Sequence, residues 1–192
     1  MAERGIDLTN QFLIAMPGMA DDNFAGAVVY LCEHSDKGAL GLMINKPTDI
    51  SLKNLFEKVD LRLDRDDLMD EPVYFGGPVQ TERGFVLHEA HGSGSGQYSS
   101  TLVVPGGLGM TTSKDVLEAL SQGAGPRKVL VTLGYSGWGA GQLESEIARN
   151  GWLNVAADPQ IIFDTPVEQR YERALALLGI DPRMLSGEAG HA

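Results

Sequence analysis

Three short runs of the sequence are apolar at nearly every position, and this pattern restricts the fold more than any other feature. They occupy residues 27–32 (AVVYLC), 39–44 (ALGLMI) and 128–133 (KVLVTL). A strand with one solvated face alternates polar and apolar residues, so continuous runs of this length predict strands that are buried on both faces. The polar segment 33–38 between the first two runs predicts a hairpin connection.

The remaining elements follow from local signals. Further short strands are expected at 12–16, 72–75, 84–89, 100–104, 152–156 and 160–163. A helical apolar period predicts helices at 51–59, 112–122, 142–149 and from 165 to the stop at Gly179. Ser51 and Thr112 are the expected N-caps of the first two, and TPVE at 165–168 predicts a capping box for the last.

The order of these elements and the length of the chain define the expected architecture. Strands occur in runs with helices interspersed, which predicts an α/β to α+β fold with a mixed β-sheet and packed helices. A length of 192 residues suits one domain, expected at 1–185 and followed by a flexible tail at 186–192. Segment 91–97 (HGSGSGQ) predicts a flexible surface loop.

The charge balance bears on the partners of the chain. It carries 15 basic and 26 acidic residues, for a net charge of −11. Such a field repels phosphate backbones and anionic lipid heads, which argues against direct nucleic-acid binding and against a membrane partner. The single cysteine and an N-terminus without an apolar signal region favour the cytoplasm.

The candidate for chemistry is the glycine-rich segment 134–141 (GYSGWGAG), expected as a turn between a buried strand and a helix. Ser136 partly matches the G-x-S-x-G nucleophile elbow, but Trp138 stands where the second glycine is needed. His191, the only histidine downstream, lies at the tail. The pattern therefore predicts no catalytic residue, although a hydrolase stays open as a minor alternative.

Two other interpretations of this segment remain. Free N–H groups at the start of a helix favour an anion, although no P-loop lysine follows. Alternatively, the glycines let the helix pack closely on its strand while Trp138 fills core space. The turn at Gly76-Gly77-Pro78 and the strand-ending Asn45-Lys46 are the other polar or glycine-rich positions expected near such a cleft. The candidate binding cleft comprises Asn45, Lys46, Gly76, Gly77, Ser136, Gly137, Trp138 and Gly139.

Cys32 is a candidate redox residue. It stands two positions before His34 at the end of a predicted strand, and alternate residues of a strand share a face. Two soft ligands are too few for a metal site, so no metal or other cofactor is predicted. The alternative is that Cys32 is a small buried apolar residue.

Several segments together resemble a known family. They are 16–19 (MPGM), 27–34 (AVVYLCEH), 38–47 (GALGLMINKP), 74–79 (YFGGPV), 134–144 (GYSGWGAGQLE) and 150–153 (NGWL). In this order they are similar to the YqgE/AlgH family of bacterial proteins, and the resemblance runs from about residue 8 to about residue 182. It implies a cytosolic α/β protein whose mixed sheet partly curls toward a barrel, in a family that carries a transcriptional-regulator label without an agreed active site.

Three functional hypotheses follow. The first is a non-enzymatic binding or regulatory module with another protein as its partner. The second is a small-molecule or anion-binding protein, or a hydrolase, that uses segment 134–141. The third, direct DNA binding, rests only on the family label; the net charge and the lack of a recognition helix argue against it. The oligomeric state is not predicted.

Overall fold

A computed structural model describes residues 7–18, 22–89 and 98–180. The strands are β1 (Gln11–Ala15), β2 (Val28–Ser35), β3 (Gly38–Met43), β4 (Pro47–Ser51), β5 (Pro72–Phe75), β6 (Val79–Glu89), β7 (Thr101–Val104), β8 (Leu108–Thr111), β9 (Val129–Gly139) and β10 (Trp152–Ala156). The helices are α1 (Leu52–Lys58), α2 (Asp115–Ser121), α3 (Gln142–Ala148), α4 (Pro159–Phe163) and α5 (Arg170–Ala176), with 3-10 turns at Asp66–Leu68 and Val167–Gln169.

The strands form one curled sheet in the order β10-β1-β2-β3-β9-β6-β8-β7. Neighbours in this path are antiparallel, whereas β5 pairs in parallel with β9 and antiparallel with β4. Val104 and Leu108, from the β7–β8 end, pack in one core cluster with Phe12 and Tyr30 of β1 and β2. The sheet therefore curls into a half-barrel, and the predicted mixed sheet with packed helices is confirmed.

Strand β2 shows why its sequence run is continuous. Val28, Tyr30 and Cys32 point into the inner cluster, which α4 and α5 close. Val29 and Leu31 point into an outer cluster that α3 covers. Because each face meets a separate core, every position of this run is buried, as the apolar pattern predicted. A third cluster lies beneath α1 and α2.

Three predictions that concern helices α4, α5 and α2 are wrong. Segment 160–163 is part of helix α4 rather than a strand, because the Asp158 side chain accepts a hydrogen bond from the Gln160 N–H and Pro159 begins the helix. The capping box at 165–168 does not form: the Thr165 hydroxyl donates to the Gln160 carbonyl (3.2 Å), and a 3-10 turn precedes α5.

The third error concerns α2, which begins at Asp115 without a side-chain cap rather than at Thr112. The Asp115 carboxylate instead accepts hydrogen bonds from the Ser99 N–H (2.7 Å) and the Ser113 hydroxyl (2.5 Å). Ser51 is confirmed as the N-cap of α1. The predicted loop 91–97 and tail 186–192 lie outside the described residues. Within the ranges that are described, no helix has the length and apolar character needed to cross a membrane.

Candidate functional site

The glycine-rich segment 134–141 is mostly strand, so its prediction as a turn is wrong. Strand β9 continues through Gly139, and only Ala140 and Gly141 connect it to α3. Gly141 has φ 76° and is the N-cap residue of that helix. The apolar run ends at Leu133, but pairing with neighbouring strands carries the extended conformation six residues further.

The segment that connects β5 to β6 crosses over strand β9. Both β5 and β6 pair with Thr132 and Leu133, so they lie on opposite edges of β9. The connection between them, residues 76–78, therefore passes over one face of β9. Its backbone meets that of β9 at 134–136.

Glycines make this crossing sterically possible. A Cβ added to Gly77 would lie 2.2 Å from the Tyr135 carbonyl carbon, and one added to Gly76 would lie 2.4 Å from the Gly134 oxygen. Gly134 itself has φ 80°, and its Cβ would lie 2.4 Å from the Gly77 oxygen. We call Gly76, Gly77, Gly134, Tyr135 and Ser136 the glycine crossing. It contains three of the predicted cleft residues and leaves no room for a ligand between the two backbones.

Ser136 is fully buried at this crossing. Its hydroxyl donates to the Gly76 carbonyl oxygen (3.0 Å), which also accepts the Met43 N–H (3.0 Å). The two histidines in the described ranges bond elsewhere: His34 to Leu8 and Glu144, and His88 to Glu89 and Thr111. Ser136 therefore has neither access to solvent nor a histidine base among these residues, and the geometry argues against the hydrolase alternative.

Asn45 and Lys46 hold a loop. The Asn45 side chain accepts a hydrogen bond from the Val28 N–H (2.9 Å) and donates to the Gly26 carbonyl (2.9 Å). The Lys46 ammonium donates to the carbonyl of Ala25. Both side chains thus fix the segment that carries Phe24 at the start of β2.

Of the predicted cleft residues, Gly137 and Trp138 line a cleft at the end of β9, whereas Gly139 does not. This cleft has a volume of ≈ 230 Å³, and we call it the aromatic cleft. It is lined by Phe24, Gly137, Trp138, Gln142, Glu146, Arg149, Gly151 and Trp152. The ring centroids of Phe24, Trp138 and Trp152 lie 5.5 to 6.1 Å apart, within the range of favourable aromatic contacts.

Among the described residues that line the cleft, Glu146 is the only one with a carboxylate. Its Oε1 accepts hydrogen bonds from the indole N–H of Trp138 (3.0 Å) and of Trp152 (2.9 Å), and its Oε2 accepts one from the Gln142 amide (3.0 Å). All three donors are neutral. The ion pairs within the described part of the chain involve other carboxylates, so no basic group there lies within 4.0 Å of Glu146.

Helix α3 brings these side chains to the cleft. Gln142, Glu146 and Arg149 stand at i, i+4 and i+7 and share one helix face. The opposite side is anchored by Leu143 in the outer cluster and by a contact of 2.9 Å between Glu144 Oε2 and His34 Nε2. The side-chain amide oxygen of Gln142 accepts the Gly139 N–H (3.0 Å), and Glu144 lies in the first turn. An occupied N–H and a nearby negative charge both argue against an anion at this helix start.

Cys32 points into the inner cluster, and burial raises the pKa of its thiol. A β-bulge interrupts the register between β2 and β3 next to it. This environment disfavours the thiolate that redox chemistry needs, while the redox role itself stays an untested prediction. In the described ranges, no three His, Cys, Asp or Glu side chains gather as a metal site would require.

The curled sheet with helices on both faces defines a mixed α/β protein of half-barrel type. A family model described as AlgH-like matches residues 12–183. The chain belongs to this AlgH-like family, as its sequence motifs predicted.

Relatives and solved structures agree with this membership. A UPF0301 protein of Ralstonia nicotianae is 68% identical over 187 residues, which cover 97% of this chain and 96% of that protein. The solution structure of the AlgH protein from Pseudomonas aeruginosa is 48% identical, with a TM-score of 0.77 and 100% of both chains covered. A Corynebacterium diphtheriae crystal structure, 19% identical, shares the fold with a TM-score of 0.70 over 90% of this chain and 87% of that one. These names specify no reaction or ligand.

Most of the cleft was missed at the level of sequence. Gln142, Glu146 and Arg149 had a usable signal in their helical spacing directly after the glycine-rich segment. Trp152 had one in its position within the NGWL motif. Phe24 had none, because only the fold brings its loop against two tryptophans that lie more than a hundred residues away.

Proposed function

We propose that the chain is a non-enzymatic binding module whose aromatic cleft captures a positively charged side chain of a partner protein. The observation that carries this proposal is the Glu146 carboxylate, which lines the cleft together with three aromatic residues and accepts hydrogen bonds only from neutral donors.

The charge of Glu146 determines which ligand the cleft attracts. A half-buried carboxylate has lost part of its hydration, and neutral hydrogen bonds orient it without cancelling its charge. The faces of Trp and Phe rings carry negative potential. They therefore strengthen the attraction for a cation and offer none for an anion. Arg149 also lines the cleft, but its guanidinium donates to the Ser145 hydroxyl (2.6 Å) and forms no ion pair with Glu146. A lysine ammonium or an arginine guanidinium can both pair with the carboxylate and lie against the aromatic ring faces.

The rest of the molecule supports a protein partner. A net charge of −11 attracts basic segments over long range and repels nucleic acid. If the regulatory label of the family applies, the chain acts on transcription through that partner rather than through an operator. The proposal places this activity in the cytoplasm, as the single cysteine favours.

Intrinsic fluorescence tests the proposal directly, because the chain has two tryptophans and both line the cleft. Capped lysine and capped arginine amides are titrated at constant ionic strength, with a capped glutamate amide as the reference ligand. We expect saturable fluorescence changes with the two cations only. Glu146→Gln keeps an oxygen that accepts the indole N–H groups but removes the charge, so it should weaken binding by at least about tenfold.

Glu172→Gln is the matched control. Glu172 is exposed on α5, so the same loss of one charge should leave the affinity unchanged. Equal binding by Glu146→Gln and the native chain, or no saturable change at millimolar cation, would reject the proposed function.

A further inference from the structure

A second cavity adjoins the aromatic cleft at the same end of β9. It is an open groove of ≈ 460 Å³, which we call the mouth groove. Its lining is Glu33, Ser35, Lys37, Gly38, Ala39, Leu40, Val79, Tyr135, Gly137 and Trp138. Gly137 and Trp138 belong to both cavities, so the two meet at this point of the strand.

The backbone of Gly137 lies between them at a strand edge. Strand β6 covers this edge of β9 only as far as the pair Val79 and Tyr135. Strand β3 pairs with the other edge through Gly139. Within the described ranges, no strand pairs with Gly137 on the side that β6 leaves, and Gly137 is exposed.

The hydrogen-bond pattern shows which way the polar groups of Gly137 point. In an antiparallel pair, successive residues direct their N–H and C=O groups alternately toward the partner strand and away from it. Gly139 donates its N–H to the Gln142 side chain, away from β3. Gly137 stands two residues earlier in the same register with β3, so its N–H and C=O point to the uncovered edge as well.

We infer that an extended segment of the partner protein pairs with Gly137 as an added strand, with a basic residue in the aromatic cleft and an adjacent apolar residue in the mouth groove. This inference rests on the proposed function, and it specifies the form in which the cation arrives. Main-chain hydrogen bonds to an uncovered strand edge are an established mode of peptide recognition.

The two cavities share Gly137 and Trp138, but the mouth groove also extends to the inner face of β9, which suits neighbouring residues of one strand. Trp138, in the aromatic cleft, packs with the outer cluster. Leu40 and Tyr135, in the mouth groove, pack against the inner cluster. Successive side chains of an extended peptide also point to opposite faces, so a basic residue followed by an apolar one reaches both cavities from the Gly137 edge.

Capped pentapeptides with a central Lys-Val pair test the inference, with tryptophan fluorescence as the readout. We expect the parent peptide to bind at least about tenfold more tightly than capped lysine amide. A scan of backbone N-methylation, one residue at a time, should abolish this gain at the position facing Gly137 and spare at least one other position. N-methylation removes a backbone donor but leaves the side chains in place.

The outcomes separate this inference from the proposed function. Capped lysine that binds as tightly as the pentapeptide would reject the added strand and leave cation capture standing. A norleucine-for-lysine peptide that binds like the parent would reject cation capture, and with it the inference as stated. No effect of N-methylation at any position would reject pairing with the strand edge.

A variant of the chain gives an independent test. Gly137→Val places a branched side chain between the two cavities, where its Cβ lies 3.2 Å from the Tyr135 ring. It should lower the affinity for the parent pentapeptide at least about tenfold. Gly84→Val is the matched control, because Gly84 is also a strand glycine whose nearest neighbour to a new Cβ is 4.0 Å away and which borders neither cavity. If Gly137→Val does not fold, the N-methyl scan on the native chain still decides.

Discussion

The glycine crossing and the aromatic cleft are neighbours on strand β9, yet they are built in opposite ways. At the crossing, two backbone segments are in direct contact, and the Ser136 hydroxyl donates its hydrogen bond to the buried Gly76 carbonyl. At the cleft, side chains surround open space, and the charge of Glu146 has no basic partner in the described residues. Sequence 134–138 contains both regions, so this glycine-rich motif divides into a part that serves packing and a part that lines the cleft.

The comparison predicts that the two regions respond to different perturbations. A methyl group at the crossing collides with main-chain atoms that cannot move alone, so stability should suffer. A side-chain change at the cleft meets open space, so binding should suffer more than folding.

The largest effect on stability is expected for Gly77→Ala. Its Cβ would lie 2.2 Å from the Tyr135 backbone at φ 155°, so the crossing must open. We expect the free energy of unfolding in urea to fall by about 3–5 kcal/mol. Gly84→Ala, whose Cβ meets nothing nearer than 4.0 Å, should change it by about 1 kcal/mol or less. Equal stability of the two variants would show that the crossing is not tightly packed.

A smaller effect on stability, with a large effect on binding, is expected for Trp152→Phe. The variant removes one indole N–H from Glu146 and part of a ring that is 2% exposed. We expect a loss of about 2 kcal/mol in unfolding free energy and at least about tenfold in affinity for capped lysine amide. The remaining Trp138 reports both. A destabilised variant with native affinity would show that the cleft is a structural feature alone.

The smallest effect is expected for Ser136→Ala. The Gly76 carbonyl keeps its hydrogen bond from Met43 when the hydroxyl is removed. The free energy of unfolding should therefore fall by about 1 kcal/mol, with the affinity for cations unchanged. Chemical denaturation and the lysine titration measure the two quantities. Loss of binding in this variant would assign Ser136 to the site and merge the two regions.

The parts of the fold that sequence predicts are those set by burial. The run at 27–32 predicts β2 because two cores bury alternate residues of one strand. The crossing could not be predicted, because it depends on β5 and β6 meeting opposite edges of a strand more than forty residues away. Segment 160–163 shows a different limit: a short apolar run does not distinguish strand from helix, and the local signal of Asp158 and Pro159 decides.

The site, like the fold, has some residues that the sequence predicts and others that only the structure reveals. Gly137 and Trp138 could be predicted because the motif itself is unusual, and both line the cleft. The sequence predicted Asn45, Gly76 and Ser136 as cleft residues in the same way, but in the structure they form hydrogen bonds that hold the backbone. The proposed preference for a cation is not visible in the sequence, since it depends on one carboxylate among 26 acidic residues. Only the three neutral donors around it single it out.

The shared carboxylate of Glu146 also has a mechanical consequence. Trp138 belongs to β9 and Trp152 to β10, and three strands separate these two in the sheet. The two indole hydrogen bonds to one oxygen of Glu146 therefore connect β9 and β10 across the curved part of the sheet between them. Flattening this end of the sheet must break at least one of them. The curvature of this part of the sheet and the proposed binding of a cation thus depend on the same carboxylate.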